Sequence, residues 1–273
     1  MIDHGYYQSN VDFWLEKAIV DIQNKYGHSV SVHKKSDNLL KFGRSEAVST
    51  TTKTTLMTLP SGVFNETYVT DNLITTVSSA SALDTAANNA SDIIITGCTV
   101  DGSGNFTFVE QTAALNGTAQ ITLTTPLSRA DRIYNADSAE MTGPVYVYET
   151  GTATAGVPDT SAAVHLMLRG GEQQSEKCAV TIPSDEYWIV MGVYGDTLEK
   201  SAANAEIAFE VRLKGKVFRK QFDLSASEKT GSFRRSPPYI IIRPNSDVRM
   251  RALASGLNTQ VSGGMFGTLL KII

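Results

Sequence analysis

Apolar residues follow two different periods along this 273-residue chain. Near the N-terminus Val11, Leu15, Ala18, Ile19, Ile22 and Tyr26 recur three and four apart, with Trp14 beside the stripe. That spacing predicts one amphipathic helix. Ser9 and Asp12 stand where a capping pair would open it, and Gly27 where a residue tolerant of the left-handed conformation would close it. An isolated helix of that length is marginal in water, so its stripe needs a surface to dock on. A core in the same chain or a neighbouring subunit would serve.

From residue 28 the period becomes two. "HSVSVHK", "LLKFGRSEAV" and "KTTLMTL" predict strands, followed by a break at Pro60-Ser61-Gly62. Residues 77–92 are small and polar and predict a loop with a helical turn. Next come runs rich in Thr, Val, Ile and Phe around two polar turns, Asp101-Gly102-Ser103-Gly104-Asn105 and Asn116-Gly117. The second turn is a favoured pair for a two-residue hairpin. "GPVYVYET" adds a further strand, and the Gly- and Thr-rich 151–162 reads as a linker.

Beyond residue 163 seven or eight short strands follow one another, among them "AVHLMLRGG", "KCAVTIP", "EYWIVMGVYG" and "SDVRMRALAS". In "AEIAFEVRLKGKVFRKQFDLS", Ile207, Phe209, Val211 and Leu213 share one face, and Gly215-Lys216 turns the chain. The pattern predicts a mainly β protein with an N-terminal helix followed by two antiparallel β domains. The boundaries it predicts are a helix and arm at 1–40, a hairpin-rich β domain at 41–150, a linker at 151–162 and a jelly-roll-like β-sandwich at 163–273.

Charge sharpens that division. The net charge is −4, but residues 45–160 hold 3 Lys/Arg against 12 Asp/Glu, and residues 201–273 hold 12 Lys/Arg against 5 Asp/Glu. Segments of −9 and +7 fit separate partners or a head-to-tail contact between subunits; drift in surface composition gives the same numbers. Arg234, Arg235, Arg243, Arg249 and Arg251 crowd the basic segment, with Phe233 and Tyr239 among them. They read as a contact surface for an acidic partner, and Trp14 joins them as a candidate contact. Arg249 and Arg251 also alternate with Val248, Met250 and Ala252, as a solvated strand face would.

Reaction chemistry finds little support. Of the four histidines, His28 and His33 flank a strand, His4 sits near the terminus and His165 lies among apolar residues. None stands beside a nucleophile elbow. Cys98 and Cys178 lie in apolar runs and read as buried free thiols rather than a disulfide. "DGSGN" begins like a calcium loop, but Phe106 and Thr112 stand where an EF-hand needs Gly and Glu. No phosphate-loop register is present. The sequence therefore predicts no catalytic residue, no metal and no cofactor. No apolar run is long enough to span a bilayer and the first residues do not read as a signal peptide, so no membrane partner is expected. Sequons at Asn65, Asn89, Asn105 and Asn116 read as chance products of composition.

The block from Ala80 to Ser138 resembles a segment of virion structural proteins of marine tailed bacteriophages. Its matching pieces are Asp84-Thr85-Ala86, Gly104-Asn105, Leu115-Asn116-Gly117-Thr118 and "LSRADRIYNADS". "VRLKGKVFRKQFDL" and "SDVRMRALAS" are similar in cadence to a later part of the same family. The resemblance covers residues 40–150 and 185–273 and brings no catalytic residues with it. It implies a particle component that decorates or cements a capsid shell, made in the host cytoplasm and carried in the virion. The partners it implies are further copies of itself, a trimer by expectation, and the major capsid protein or other virion proteins. Nucleic acid is not an expected partner. A head–tail junction, tail or fibre protein is the first alternative, and a carbohydrate-binding or hydrolysing β-sandwich the second.

Overall fold

The computed structural model describes residues 4–32, 38–59, 68–88, 90–198, 204–227, 232–257 and 259–273. His33, Asn65, Asn89 and the Pro60-Ser61-Gly62 break lie outside the described residues. Helix α1 (His4–Tyr26) leads into strands β1 (Val30–Val32), β2 (Asn38–Val48) and β3 (Thr54–Thr55). Next come β4 (Ile74–Ser79), β5 (Asp92–Val100), β6 (Phe106–Ala114), β7 (Ile121–Leu127), β8 (Arg129–Asn135) and β9 (Val145–Glu149). The short pair β10 (Ala153–Thr154) and β11 (Val157–Pro158) precedes β12 (Val164–Leu168) and β13 (Ala179–Ile182). The chain closes with β14 (Glu186–Leu198), β15 (Asn204–Leu213), β16 (Arg219–Ser227), β17 (Ser232–Ile242), β18 (Ser246–Ala254) and β19 (Thr259–Ile272).

Two sheets with strand orders β2-β19-β14-β17 and β13-β18-β15-β16 face each other, with β1 and β3 extending their edges. The alternation of β15 and β18 explains the packing. Ile207, Phe209, Val211, Val248, Met250 and Ala252 meet Trp188, Val190 and Met265 of the opposite sheet in one buried core. Count β3 and β13 as one broken strand and name the eight strands B to I along the chain. The sheets then read B-I-D-G and C-H-E-F, the double Greek key of a jelly roll.

Strand C is broken because a second domain is inserted in it. β3 runs along β18 at Arg251 and Ala252, and β13 continues along the same edge from Arg249 to Ser246. Between them the chain leaves at Leu56 and returns at Cys178. The Leu56 N–H donates to the Met250 carbonyl (3.0 Å), the Met250 N–H to the Cys178 carbonyl (2.9 Å), and the Cys178 N–H to the Leu56 carbonyl (2.8 Å). The two arms pair once more as they depart, through the Met57–Lys177 bridge and a 2.9 Å bond from the Thr58 N–H to the Glu176 carbonyl.

The inserted domain is a smaller sandwich in which β12-β9-β4-β7 faces β6-β5-β8. Ile74, Ile93, Ile95, Leu127, Ile133, Val147 and Leu166 fill it. The boundaries expected from sequence therefore shift. Residues 38–55 pair with the jelly roll, and 164–168 pair with β9 in the inserted domain. The 151–162 segment is no linker: β10 and β11 form a hairpin, and Ala153 packs on Tyr146, Tyr148 and Met167. Both boundary expectations assumed that neighbours in sequence share a sheet.

The two polar turns have different outcomes. Asp101–Asn105 joins the paired strands β5 and β6, as expected. Asn116-Gly117 is not a hairpin, because β6 pairs with β5 while β7 pairs with β4 in the other sheet. Its Gly117 has a φ of 58° and carries the chain across between the sheets. The Gln111 side chain spans the gap, donating to the Thr125 carbonyl (2.8 Å) and accepting the Thr125 N–H (2.9 Å).

Helix α1 docks on the outer face of the B-I-D-G sheet. Ala18 and Ile22 are buried against Tyr187, Ile189 and Leu270, with Leu15, Ile19 and Tyr26 around them. Gly27, at a φ of 71°, closes the helix with a 3.0 Å bond to the Gln23 carbonyl. Ser9 is interior to the helix rather than its cap. Extending a formed helix through the proline-free His4–Gln8, even across Gly5, is far easier than nucleating one.

The break in strand C requires a close approach. A Cβ on Gly43 of β2 would lie 2.0 Å from the Leu56 carbonyl oxygen and 2.4 Å from the Cys178 nitrogen. Gly43→Ala is expected to lower unfolding stability by about 3 kcal/mol, at the upper end of overpacking costs. Gly102→Ala, where a Cβ meets nothing within 4 Å, is expected to change it by no more than about 0.5 kcal/mol. Urea denaturation of the two variants checks the contrast.

Candidate functional site

The joint between the two domains decides which faces each of them leaves free. Edge strand β8 of the inserted domain lies against the jelly roll. Its ladder to β5 slips between Thr96 and Gly97, leaving Asp131 as an extra residue. Two buried lysines meet the carbonyls there: Lys41 Nζ donates to the Asp131 oxygen (2.5 Å) and Lys177 Nζ to the Ala130 oxygen (2.7 Å). Burial pushes the Lys41 ammonium down to about 7; Arg132 and Lys177 add to the effect, and Asp131 offsets part of it.

Beside the lysines, one carboxylate ties both domains. Asp247 of β18 accepts Arg129 Nε from β8 (2.9 Å), Arg212 from β15 (2.9 Å from Nε) and the Thr181 hydroxyl (2.7 Å). Burial pushes its carboxyl up, but the two guanidiniums outweigh this and hold it below the usual carboxylate range. The guanidinium of Arg129 also donates to the Val69 carbonyl (2.6 Å) and stands 5.0 Å from both the Tyr68 and Phe106 rings. Arg212 lies 4.2 Å over Tyr68, and Arg249 3.6 Å over Phe218.

The Asp101–Asn105 turn completes the joint. The Asp101 carboxylate accepts the Ser103 and Asn105 N–H groups (2.8 Å each) and the Asn105 amide (3.0 Å). These bonds, chiefly the backbone N–H of Asn105, lower its pKa. The tied turn then reaches the jelly roll. Lys214 Nζ donates to Asn105 Oδ1, the Phe106 N–H to Asn245 Oδ1, and the Ser184 N–H to the Phe106 carbonyl, each at 2.8 Å. The segment that began like a calcium loop is a turn that clips the two domains together.

Two of the basic residues singled out in the sequence are occupied within the fold. Arg249 and Arg251 both bind Glu210 of the neighbouring strand, through Nε at 2.9 Å in each case and Nη2 of Arg251 at 2.7 Å. Arg249 is almost fully buried. Arg243 is exposed beyond the end of β17, 5.9 Å from the Tyr26 ring. Arg234 and Arg235 fall on β17, with backbones opposite Val193 and Gly192. Trp14 is half-buried on its own chain, 6.2 Å from the Tyr239 ring, whose hydroxyl donates to Asp21. His165 is buried and bonded to Glu149 (3.0 Å), a satisfied sheet histidine. Cys98 and Cys178 are both buried and unpaired, with burial pushing their thiols up.

Sequence reasoning missed Lys41, Lys177, Arg129 and Asp247. A signal existed for one of them: Lys41 shares its strand face with Gly43 and Ser45, all buried, so a charge stood on an inward phase. A cleft of about 620 Å³ opens beside this joint, lined among others by Leu40, Phe42, Phe108, Glu110, Tyr134 and Glu186. The Tyr134 hydroxyl donates to Glu110 within it (3.2 Å).

No family model and no curated protein matches the sequence. Among solved structures, the chain has a distant likeness to infectious bursal disease virus, Gx strain. That match has 8% identity over 93% of this chain and 78% of the other, with a TM-score of 0.25. The VP2 subviral particle of the same virus gives 7% identity, 78% and 74% coverage and 0.21. The CBM22 tandem domain of Paenibacillus barcinonensis Xyn10C gives 9%, 89%, 98% and 0.22. At such scores these likenesses carry no argument, and the topology stands on its own strand pairing.

Two substitutions test the joint. Asp247→Asn leaves the buried Arg129 and the half-buried Arg212 without their counter-charge and is expected to cost about 3 kcal/mol. Because the folded pKa of Asp247 lies below the unfolded one, its stabilisation is present above about pH 4 and lost as pH falls through the folded value. The variant should therefore lose less stability on acidification. For Lys41 the folded state sheds its proton near 7 and the unfolded state near 10.5. Stability should then rise with pH between these values, by up to about 1.4 kcal/mol per unit, and show no dependence on Lys41 below 7. Urea titrations across pH should show this rise in the parent and a flatter profile in Lys41→Met.

Proposed function

We propose that this chain is a non-enzymatic structural component of a viral particle. One observation carries the reading: an entire β-sandwich is inserted in strand C of a jelly roll, with both of its ends hydrogen-bonded to the same strand, β18. Such a body is a rigid presenter of surfaces. The jelly roll and its docked helix supply contacts within an assembly, and the acidic inserted domain is held to one side as a projecting module.

The phage-like block at Ala80–Ser138 supports a narrower version, in which the chain decorates or cements the capsid shell of a tailed phage. It spans β5 to β8, and so contains the turn and the Arg129 strand that clip the module to the jelly roll. Its partners in this reading are other copies of the chain and the major capsid protein.

Quantitative mass spectrometry of purified particles tests the proposal. Decoration is expected to give hundreds of copies per particle. A few to dozens would place the chain at a head–tail junction, tail or fibre instead. Absence from the particle would contradict the proposal.

A further inference from the structure

The basic surplus of the C-terminal segment is unevenly used in the folded chain. Arg212, Arg249 and Arg251 sit on Asp247 and Glu210. Lys214 holds Asn105, Lys220 holds Asp223, and Lys271 lies 3.2 Å from Asp185. Among the described residues, Lys216, Arg219 and Arg243 are exposed and have no carboxylate partner. All three line one slot of about 340 Å³.

The slot lies where the jelly roll is open. β16 and β17 are the edge strands of the two sheets, and between them the inner faces part. Val211, Leu213, Ile240 and Ile242 form its apolar lining, and Val211 and Ile242 also belong to the main core. Val217 lines it as well, 73% exposed. An apolar slot rimmed by three unpaired cations selects an apolar side chain flanked by carboxylates, and a basic surface is repelled.

The same chain offers such a surface. Residues 57–177, the inserted domain, hold 4 Lys/Arg against 13 Asp/Glu, a net charge of −9. On the inserted domain, large apolar side chains stand exposed two residues from an exposed carboxylate in three places: Asp71 with Leu73, Phe108 with Glu110, and Val157 with Asp159. The Val157–Asp159 place belongs to the hairpin on the outer face of its sheet, opposite the domain core. We infer that the slot receives the acidic inserted domain of a second copy of this chain, in a head-to-tail contact. Slot and acidic face are different surfaces, so the contact is heterologous and can propagate into a ring or an array. This deepens the particle reading by naming the surfaces through which copies would join.

The test compares the full chain with a variant carrying Lys216→Glu, Arg219→Glu and Arg243→Glu, by size-exclusion chromatography with light scattering. The parent chain is expected to self-associate at about 50 mM salt and to dissociate at about 500 mM, where charge screening is strong. The variant should be monomeric alone, with self-affinity at least about tenfold weaker. Mixed with parent chain it should form a capped one-to-one complex, because its acidic face is intact. An unchanged unfolding midpoint shows that the variant is folded, and Arg219→Gln should weaken association in a milder way if it is not. A parent chain that is monomeric under all conditions overturns the inference. So does association indifferent to the variant, or a variant that cannot cap the parent. A chain present in particles but monomeric in solution overturns the contact alone. Slot-dependent association of a chain absent from particles overturns the particle reading alone.

Discussion

The backbone of Met250 is the point on which the two domains depend. Its carbonyl takes the Leu56 N–H, and its N–H goes to Cys178 on the same strand edge. Two residues far apart in sequence thus share one place in strand C, and everything between them is obliged to leave and return there. Backbone groups buried in a core must be paired. The junction satisfies its own donors and acceptors without help from side chains, and Gly43 supplies the room it needs.

A junction of three bonds fixes where the inserted domain begins; the polar joint fixes how it sits. Lys41 and Lys177 meet carbonyls on the bulged edge of β8, while Asp247 gathers arginines from both domains. Groups of this kind contribute little net stability when buried, but they are severe about geometry, because a displaced partner leaves a charge unpaired. The arrangement thus favours one relative orientation of the domains over a hinge. The edge of β8, which would otherwise offer unpaired backbone to another chain, is covered in the same stroke.

Much of the fold was legible in the sequence because periodicity reports burial. The helix stripe from Leu15 to Tyr26 and the inward set Ile207, Phe209, Val211 and Leu213 face their cores as the spacing predicts. The jelly roll itself was legible from strand count and alternation. What was not legible is which strands share a sheet. "AVHLML" and "LLKFGRSEAV" carry no mark of their partners: the first pairs with β9 across the segment expected as a linker, and the second with β19 across the whole inserted domain. Asn116-Gly117 misled for the same reason: turn chemistry specifies a backbone conformation and leaves open whether the strands beside it pair.

The surface proposed as a contact was legible in part. Composition showed a basic C-terminal segment, and an exposed Arg243 lies on the rim of the basic slot. Arg249 and Arg251 were drawn into the cluster by number alone, but Glu210 stands on the neighbouring strand and occupies both. Lys216 and Arg219, which matter more to the free surface, looked ordinary because nothing local marks a charge without a partner.

The central claim is that a jelly roll carries its inserted sandwich as one rigid body within a viral particle. Imaging intact particles at a resolution that traces the chain tests it most directly. The account predicts the jelly roll and helix in contact with neighbouring subunits, the inserted domain projecting, and the Arg129–Asp247 joint closed in every copy. Particles lacking the chain, or copies with the inserted domain swung free of β18 and the joint broken, would contradict it.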